Sequence, residues 1–399
     1  MGNVCGISVK VPTKRIRVVH VVLDLQAGGL ERMVADLLSR LNPAKFEVHL
    51  LALRYLGRHA VGLTSCCGLH VAPPMTRWTM IWPRSLAAEL QRLAPDIVHT
   101  HSGVWYKTAL AARMSGIPHL LHTDHGRHFP DPLASRVVDN MASRWTTTVV
   151  AVSEPLSQHL ARKVVAYPGR IRTITNGIDT TLFTPGPPDR PLLKRLGVPD
   201  GHPVVGSLGR FDPIKGYDVV LQAFAELRRS LQGKADPFLV LAGEGPEGGR
   251  LQELTMALGL ADRVLFPGWI DKATDLYRSF DVFVLGSRSE GTSMSLLESM
   301  SCGVCPVVTD VGGNAAVLGE TLRHRLVPPD DPSALAEGLK GALQYPESCW
   351  DDGAMARARV LSSFSMSKMV DQYEALYNQM VPVLPGGVDG EQQINNVQR

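Results

Sequence analysis

The chain has 399 residues, 44% of them hydrophobic, and carries 41 basic against 38 acidic side chains for a net charge of +3. That length predicts two or three domains with full cores, and so small a basic excess excludes nucleic acid as a partner on electrostatic grounds. No apolar run approaches the roughly 18 residues of a membrane span, the first residues read as neither signal peptide nor myristoylation site, and six cysteines give no disulfide framework, so a cytoplasmic protein is expected.

HVVLDLQAGGLERMVADLLSRL (20–41) reads as a strand, a glycine turn at Gly28 and Gly29, and an amphipathic helix. Glycine at such a turn lets backbone approach a phosphate or sugar closely. The complete GxGxxG fingerprint is missing, and no acidic residue ends a clear second strand, which disfavours a nicotinamide cofactor. RWTMIWPRSLAAEL (77–90) mixes Trp78, Ile81 and Trp82 with Arg77 and Arg84; membrane contact and ordinary helix packing are both open to it. PDIVHTHSG (95–103) ends another strand at His99 and His101, which are expected to shape a cleft. HLLHTDHGRHF (119–129) sets an apolar strand before a histidine-rich cluster, in which a neutral His125 is suited to hydrogen bonding or acid/base work. A metal cluster is the rival reading, but no cysteines or carboxylates accompany these histidines in a ligand pattern.

Strand and helix patterns alternate up to about residue 173, a loop rich in glycine and proline runs from Thr184 to Pro191, and the rhythm restarts at Val204. Alternation predicts parallel sheets with crossover helices, and the restart predicts a second sheet. The expected domains are 1–183 and 184–365, then a helix over 366–384 and a disordered tail over 385–399. In PVVGSLGRFDPIKGYDVVLQAFAEL (203–227), Arg210 and Lys215 bracket the turn after a strand, a pairing of planar fork and movable point charge suited to a diphosphate. SRSEGTSMSLLESMSCGVCPVV (287–308) follows a strand at Val282–Leu285 with a loop of small polar residues and then a helix. Glu290 falls in the loop at the carboxyl edge of the sheet, and Glu298 lies almost two turns into the helix. Periodicity does not give them one face, yet both can reach one elongated ligand. The amides at the start of this helix, near Gly291, Thr292, Ser293 and Ser295, would carry the positive end of its dipole towards a phosphate. Cys302 and Cys305 form a CxxC between helix and strand, read as packing.

From about Arg15 to about Tyr377 these motifs together resemble the family 4 (group 1) glycosyltransferases. The resemblance implies a retaining enzyme of GT-B fold, with two Rossmann-like domains whose parallel sheets face across a cleft. It further implies that Glu290 contacts the donor sugar, that Glu298 binds the ribose hydroxyls and that Arg210 and Lys215 hold the diphosphate. Gly28 and Gly29 would belong to the loop closing over the donor, and His125, in Thr123-Asp124-His125-Gly126, would lie against the sugar. NGID (176–179) resembles the family's turn before the second domain, and LAGEGPEGGRL (241–251) the glycine-rich strand exit near the nucleotide. TDVGGNAAV (309–317) keeps the glycine pair Gly312-Gly313, with Ala316 where many relatives have glutamate. The last helix, SKMVDQYEALYNQM (367–380), would cross back to the first domain.

No Asp-x-Asp occurs in the chain, so the usual metal-diphosphate anchor is missing and a divalent metal should be dispensable, with no cofactor expected. The partners implied are a UDP-, GDP- or ADP-sugar donor and a glycan or lipid-linked saccharide acceptor, with peripheral contact at the inner membrane face. Glu290 as a covalent nucleophile and as a binder of sugar hydroxyls both stay open. A nucleotide-sugar epimerase of the same architecture and a non-catalytic nucleotide-sugar binder are the alternative functions.

Overall fold

The computed structural model describes residues 14–26, 28–74, 82–127, 132–231, 236–270 and 272–382. Seven strands form the first sheet: β1 (Ile16–Asp24), β2 (Phe46–Tyr55), β3 (Gly68–Val71), β4 (Ile97–His101), β5 (His119–Asp124), β6 (Thr148–Ala151) and β7 (Ile171–Thr173), in the order β3-β2-β1-β4-β5-β6-β7. Six form the second: β8 (Val204–Leu208), β9 (Phe238–Ala242), β10 (Val264–Gly268), β11 (Val282–Leu285), β12 (Cys305–Thr309) and β13 (Leu326–Val327), in the order β10-β9-β8-β11-β12-β13. Their neighbours all pair in parallel.

The apolar runs dictate this arrangement. Strands β9, β11 and β12 are buried at every position, as a parallel sheet covered by helices on both faces requires. Within each strand the pleat divides the side chains between two cores. Val18 and Val22 of β1 join one while Val19 and Val21 join the other, and Val204 and Val205 of β8 part in the same way.

Strand order reverses between β1 and β4 in one sheet and between β8 and β11 in the other, and such a switch point opens a crevice at the carboxyl ends of the strands. The loops leaving those ends carry Gly28 and Gly29 after β1, His125 after β5, Arg210 and Lys215 after β8, and Glu290 after β11. Topology thus delivers most of the expected site residues to one cleft.

The helix Met366–Met380 is capped by Ser365, whose hydroxyl accepts from Lys368 N. It buries Met366, Met369, Val370, Tyr373, Tyr377 and Met380 in the core of the first sheet, the spacing of one helical face. The chain therefore crosses back to the first sheet. At the crossing, Ile178 N donates to Phe364 O at 2.8 Å and Met366 N to Ile178 O at 2.9 Å, so the outgoing and returning strands brace each other. Arg357 adds bonds to the carbonyls of Thr180, Phe183 and Ser301.

Cys302 and Cys305 are buried free thiols, and burial pushes the Cys302 thiol up to about 12, which suits packing and not redox chemistry. Trp82 is 52% exposed; Trp78 and Ile81, like the tail from Pro385, lie outside the described residues. No described helix is long and apolar enough to cross a membrane.

Candidate active site

The loop between β11 and the helix Met294–Ser301 is threaded through tight contacts. Gly312, at φ +54°, lies so close beneath Glu290 that a Cβ there would sit 1.8 Å from the Glu290 carbonyl, and a Cβ on Gly291 would sit 2.3 Å from the carbonyl of His125. Any larger residue would displace the loop or separate the domains. Glu290, thus fixed, accepts hydrogen bonds at Oε1 from Lys215 Nζ and Ser287 Oγ, both at 2.7 Å. Lys215 ends a single 3-10 turn, Pro213–Lys215, that begins with Asp212 accepting from Ile214 N. An ammonium has three donors; Glu290 takes one, which leaves Lys215 able to meet an anion without abandoning its carboxylate. Arg210 is different: its guanidinium touches Asp212 at 2.9 Å but the side chain is 69% exposed.

At the N-terminus of the helix Met294–Ser301, Ser293 makes no side-chain capping bond; its hydroxyl lies 3.3 Å from that of Ser295. Thr292, whose backbone amide is expected near the donor, donates its hydroxyl to the Val152 carbonyl at 2.7 Å. Thr292 therefore binds the two domains together, because its position over β6 offers a buried acceptor that would otherwise be unsatisfied. Further along the same helix Glu298 is buried and accepts from the Tyr277 hydroxyl at 2.8 Å. Burial raises its carboxyl to about 7, against a smaller opposing pull from Arg32 of the first domain.

From the other side of the cleft, His125 is held by its backbone N donating to Ser102 Oγ at 2.9 Å and by Nε2, which lies 3.0 Å from His101 Nδ1. Its Nδ1 is buried without a partner, and burial, then His101, holds its pKa well below the usual histidine value. The imidazole is thus neutral with one idle nitrogen. His99 and His101, expected to shape the cleft, are both buried: His101 lies against the His125 ring, and Tyr373 and Tyr377 of the returning helix pack on His99. A cavity of about 280 Å³ lies between the domains, with Gly126, Arg127, Leu156, Arg288, Glu290 and Gly312 among its walls.

Set beside known proteins, residues 27–182 match Glycosyltransferase Family 4 and residues 190–358 match Glycosyl transferases group 1. A D-inositol 3-phosphate glycosyltransferase of Salinispora tropica is 30% identical over 89% of this chain and 82% of its own length. The chain belongs to glycosyltransferase family 4. A second D-inositol 3-phosphate glycosyltransferase, from Catenulispora acidiphila, is also 30% identical, but the chain spans only 65% of that relative's length. An N-acetyl-alpha-D-glucosaminyl L-malate synthase of Bacillus anthracis is 28% identical over 73% of the chain and 77% of its own length. Among solved structures, Anabaena HepE in complex with UDP and glucose superposes with a TM-score of 0.79 at 21% identity, covering 92% of this chain and all of that one. The two facing parallel sheets are the GT-B fold.

The structure also brings to the cleft residues that sequence reasoning did not single out. Arg288 meets both oxygens of Asp218 at 3.0 Å and Asp330 Oδ1 at 2.7 Å, fixing the start of the Glu290 loop. Arg127 pairs with Asp124 at 2.8 Å and Asp139 at 2.9 Å beside the cavity. Tyr277 reaches Glu298 from 21 residues away. Only Arg127, adjoining the T-x-H-G run, carried a local signal; the others depend on packing between separate elements. The Gly28-Gly29 loop arrives from the first domain: a Cβ on Gly29 would come within 3.1 Å of Met294, and one on Gly28 would strike the Glu31 carboxylate at 2.2 Å. The glycine turn therefore abuts the N-terminus of the Glu298 helix.

Proposed function

We propose that this family 4 member transfers a hexosyl group from a nucleoside diphosphate sugar to an acceptor hydroxyl with retention of anomeric configuration. The observation that carries the reading is the convergence, from both domains, of Lys215-bound Glu290, buried Glu298, the uncapped helix at Ser293 and the idle Nδ1 of neutral His125. Glu290 and His125 contact the sugar, Glu298 receives the ribose hydroxyls, and Lys215, Arg210 and the helix terminus stabilise the diphosphate. The acceptor hydroxyl attacks the anomeric carbon on the face from which the diphosphate departs. The carbon–phosphate oxygen bond breaks as the new glycosidic bond forms, and the departing phosphate oxygen takes the acceptor's proton. No side-chain nucleophile and no metal ion are required. HepE, described in complexes with UDP and with UDP-glucose, supports a donor of that class.

A glycan or lipid-linked saccharide is the acceptor we infer. The helix Leu133–Trp145 exposes Leu133, Val137, Val138 and Met141, a helical stripe, and its Asp139 pairs with Arg127 on the cavity wall. An apolar carrier lying along that stripe would bring its saccharide to the cleft from the inner face of a membrane. The variant Val137→Ser/Met141→Ser is expected to lose most sedimentation with anionic phospholipid vesicles while keeping its nucleotide-induced thermal shift. Undiminished sedimentation would remove the stripe from acceptor binding.

Thermal-shift screening of UDP-, GDP- and ADP-sugars in the presence of EDTA tests the donor reading, since a ligand specific for the folded state raises its apparent stability. One nucleotide series should raise Tm by several degrees in chelator. No shift without added magnesium or manganese, and a shift with it, would overturn the metal-free mechanism.

A further inference from the structure

Behind His125 runs an unbroken line of hydrogen bonds that the proposed chemistry does not use directly. His125 Nε2 lies 3.0 Å from His101 Nδ1, His101 Nε2 lies 3.1 Å from His20 Nδ1, and His20 Nε2 lies 3.3 Å from the Tyr377 hydroxyl. The line continues from Tyr377 to His99 Nδ1 at 2.7 Å, from His99 Nε2 to the Thr123 hydroxyl at 2.8 Å, and from Thr123 to the Tyr373 hydroxyl at 3.1 Å. His20, His99, His101, Thr123 and both tyrosines are buried.

A neutral imidazole has one N–H, so a histidine between two partners donates to one and accepts from the other. Burial holds His20, His99 and His125 well below the usual value and takes His101 down to about 3, so all four are neutral at physiological pH. The direction of any one histidine bond then fixes that of its histidine neighbours. Each direction leaves one hydrogen without a partner, and the two differ in where it is left. With Tyr373 donating to Thr123, Thr123 to His99, His99 to Tyr377, Tyr377 to His20, His20 to His101 and His101 to His125, the unpaired proton is on His125 Nδ1, on the loop whose next residues, Gly126 and Arg127, line the cavity. The reverse direction strands the hydroxyl proton of Tyr373 inside the core, with no other partner among the described residues; either costs about 1–3 kcal/mol, and only the first is relieved when a ligand supplies an acceptor.

We propose that His101, His20 and Tyr377 are positioning residues that fix the tautomer of His125, so that the returning helix of the second domain's end presents Nδ1–H as a donor in the cleft of the first. The inference rests on the donor-site reading for the acceptor that meets that N–H and so selects the direction; the line of bonds itself stands without it. His20, His99 and His101 are close enough to surround one cation, but their paired nitrogens already have partners, and a proton line accounts for them without a metal.

The test is a long-range proton–nitrogen correlation spectrum of the full chain, labelled with nitrogen-15 at histidine, at pH 7 with saturating UDP-glucose. His20, His101 and His125 should all be neutral Nδ1–H tautomers. A predominant Nε2–H tautomer at His125, a cationic ring among the three, or stoichiometric zinc by elemental analysis would overturn the proposal. In Tyr377→Phe the His20, His101 and His125 signals should move towards mixed tautomers, while His122, outside the line and bonded to Thr100 at 2.8 Å, should not. The variant's kcat should fall about tenfold with KM for the sugar nucleotide unchanged. An unaltered His125 tautomer, or an altered tautomer with unaltered kcat, would show that the line has no positioning role. Wild-type histidine signals that respond to none of the UDP-, GDP- and ADP-sugars would instead count against the donor-site reading.

Discussion

Glu298→Gln is expected to stabilise the ligand-free glycosyltransferase relative to wild type as pH rises from 5 to 8, and to weaken nucleotide binding at the same time. The Glu298 carboxyl is raised by burial from 4.5 to about 7. A carboxyl whose folded value lies above its unfolded value disfavours folding wherever the unfolded chain would ionise it. The cost is absent below about pH 4.5, grows as pH rises towards 7 and is complete above. At about 1.4 kcal/mol per unit it amounts to roughly 3 kcal/mol at pH 8 and under about 1 kcal/mol at pH 5. Glutamine keeps an acceptor for the Tyr277 hydroxyl but introduces buried amide donors facing Arg32, which cost about 1–3 kcal/mol at every pH. The absolute sign at one pH is therefore a contest between similar terms, whereas the change in ΔΔG between pH 5 and pH 8 isolates the carboxyl. It should be about 2–3 kcal/mol, or several degrees of Tm, in favour of glutamine at the higher pH. A pH-independent difference would mean that the wild-type carboxyl ionises without cost. Ribose hydroxyls donate best to a carboxylate, so wild-type affinity should rise, with proton release, as pH passes 7. Glutamine should bind about tenfold more weakly at pH 8 and lose that pH dependence.

Glu298 also illustrates how far the chain could be read before it was folded. The alternation of apolar runs and amphipathic helices identified both sheets, because a parallel strand buried on two faces has to be continuously apolar and β9, β11 and β12 are. Loops at the carboxyl ends of strands carried Glu290, Lys215 and His125, and the sheet order brings those ends to the cleft. What the sequence did not contain was the commitment of each polar atom. Nothing local to Thr292 says that its hydroxyl will find Val152 O, 140 residues away, and nothing in VHTH says that His99 will meet Tyr377, 278 residues on. Partners across such separations are chosen by packing, which periodicity does not encode. The same limit applies to Arg288: a cation in a small polar loop reads as solvated until the two carboxylates from other elements come into view.

Lys215→Ala is expected to lower both stability and diphosphate affinity, and a second substitution should separate the two effects. The Lys215 ammonium lies 2.7 Å from Glu290, whose side chain is only 8% exposed, while its own is 24% exposed. Removing one member of a fully buried pair costs about 3–5 kcal/mol because the other is left as an unpaired charge. Partial exposure of Lys215 and the remaining bond from Ser287 reduce this to about 1–3 kcal/mol. Adding Glu290→Gln to Lys215→Ala removes the stranded charge and should restore most of the lost Tm. It should not restore binding of UDP, which in both variants is expected about 10–100-fold weaker, with uridine unaffected, since the lost contact is to the diphosphate. Arg210→Ala supplies the contrast: with a 69% exposed side chain, it should leave Tm unchanged yet weaken UDP relative to uridine by a smaller factor. Equal UDP-to-uridine ratios in wild type and Lys215→Ala would reduce Lys215 to a structural counterion of Glu290, and stabilisation of the leaving group would then fall to the helix terminus and Arg210.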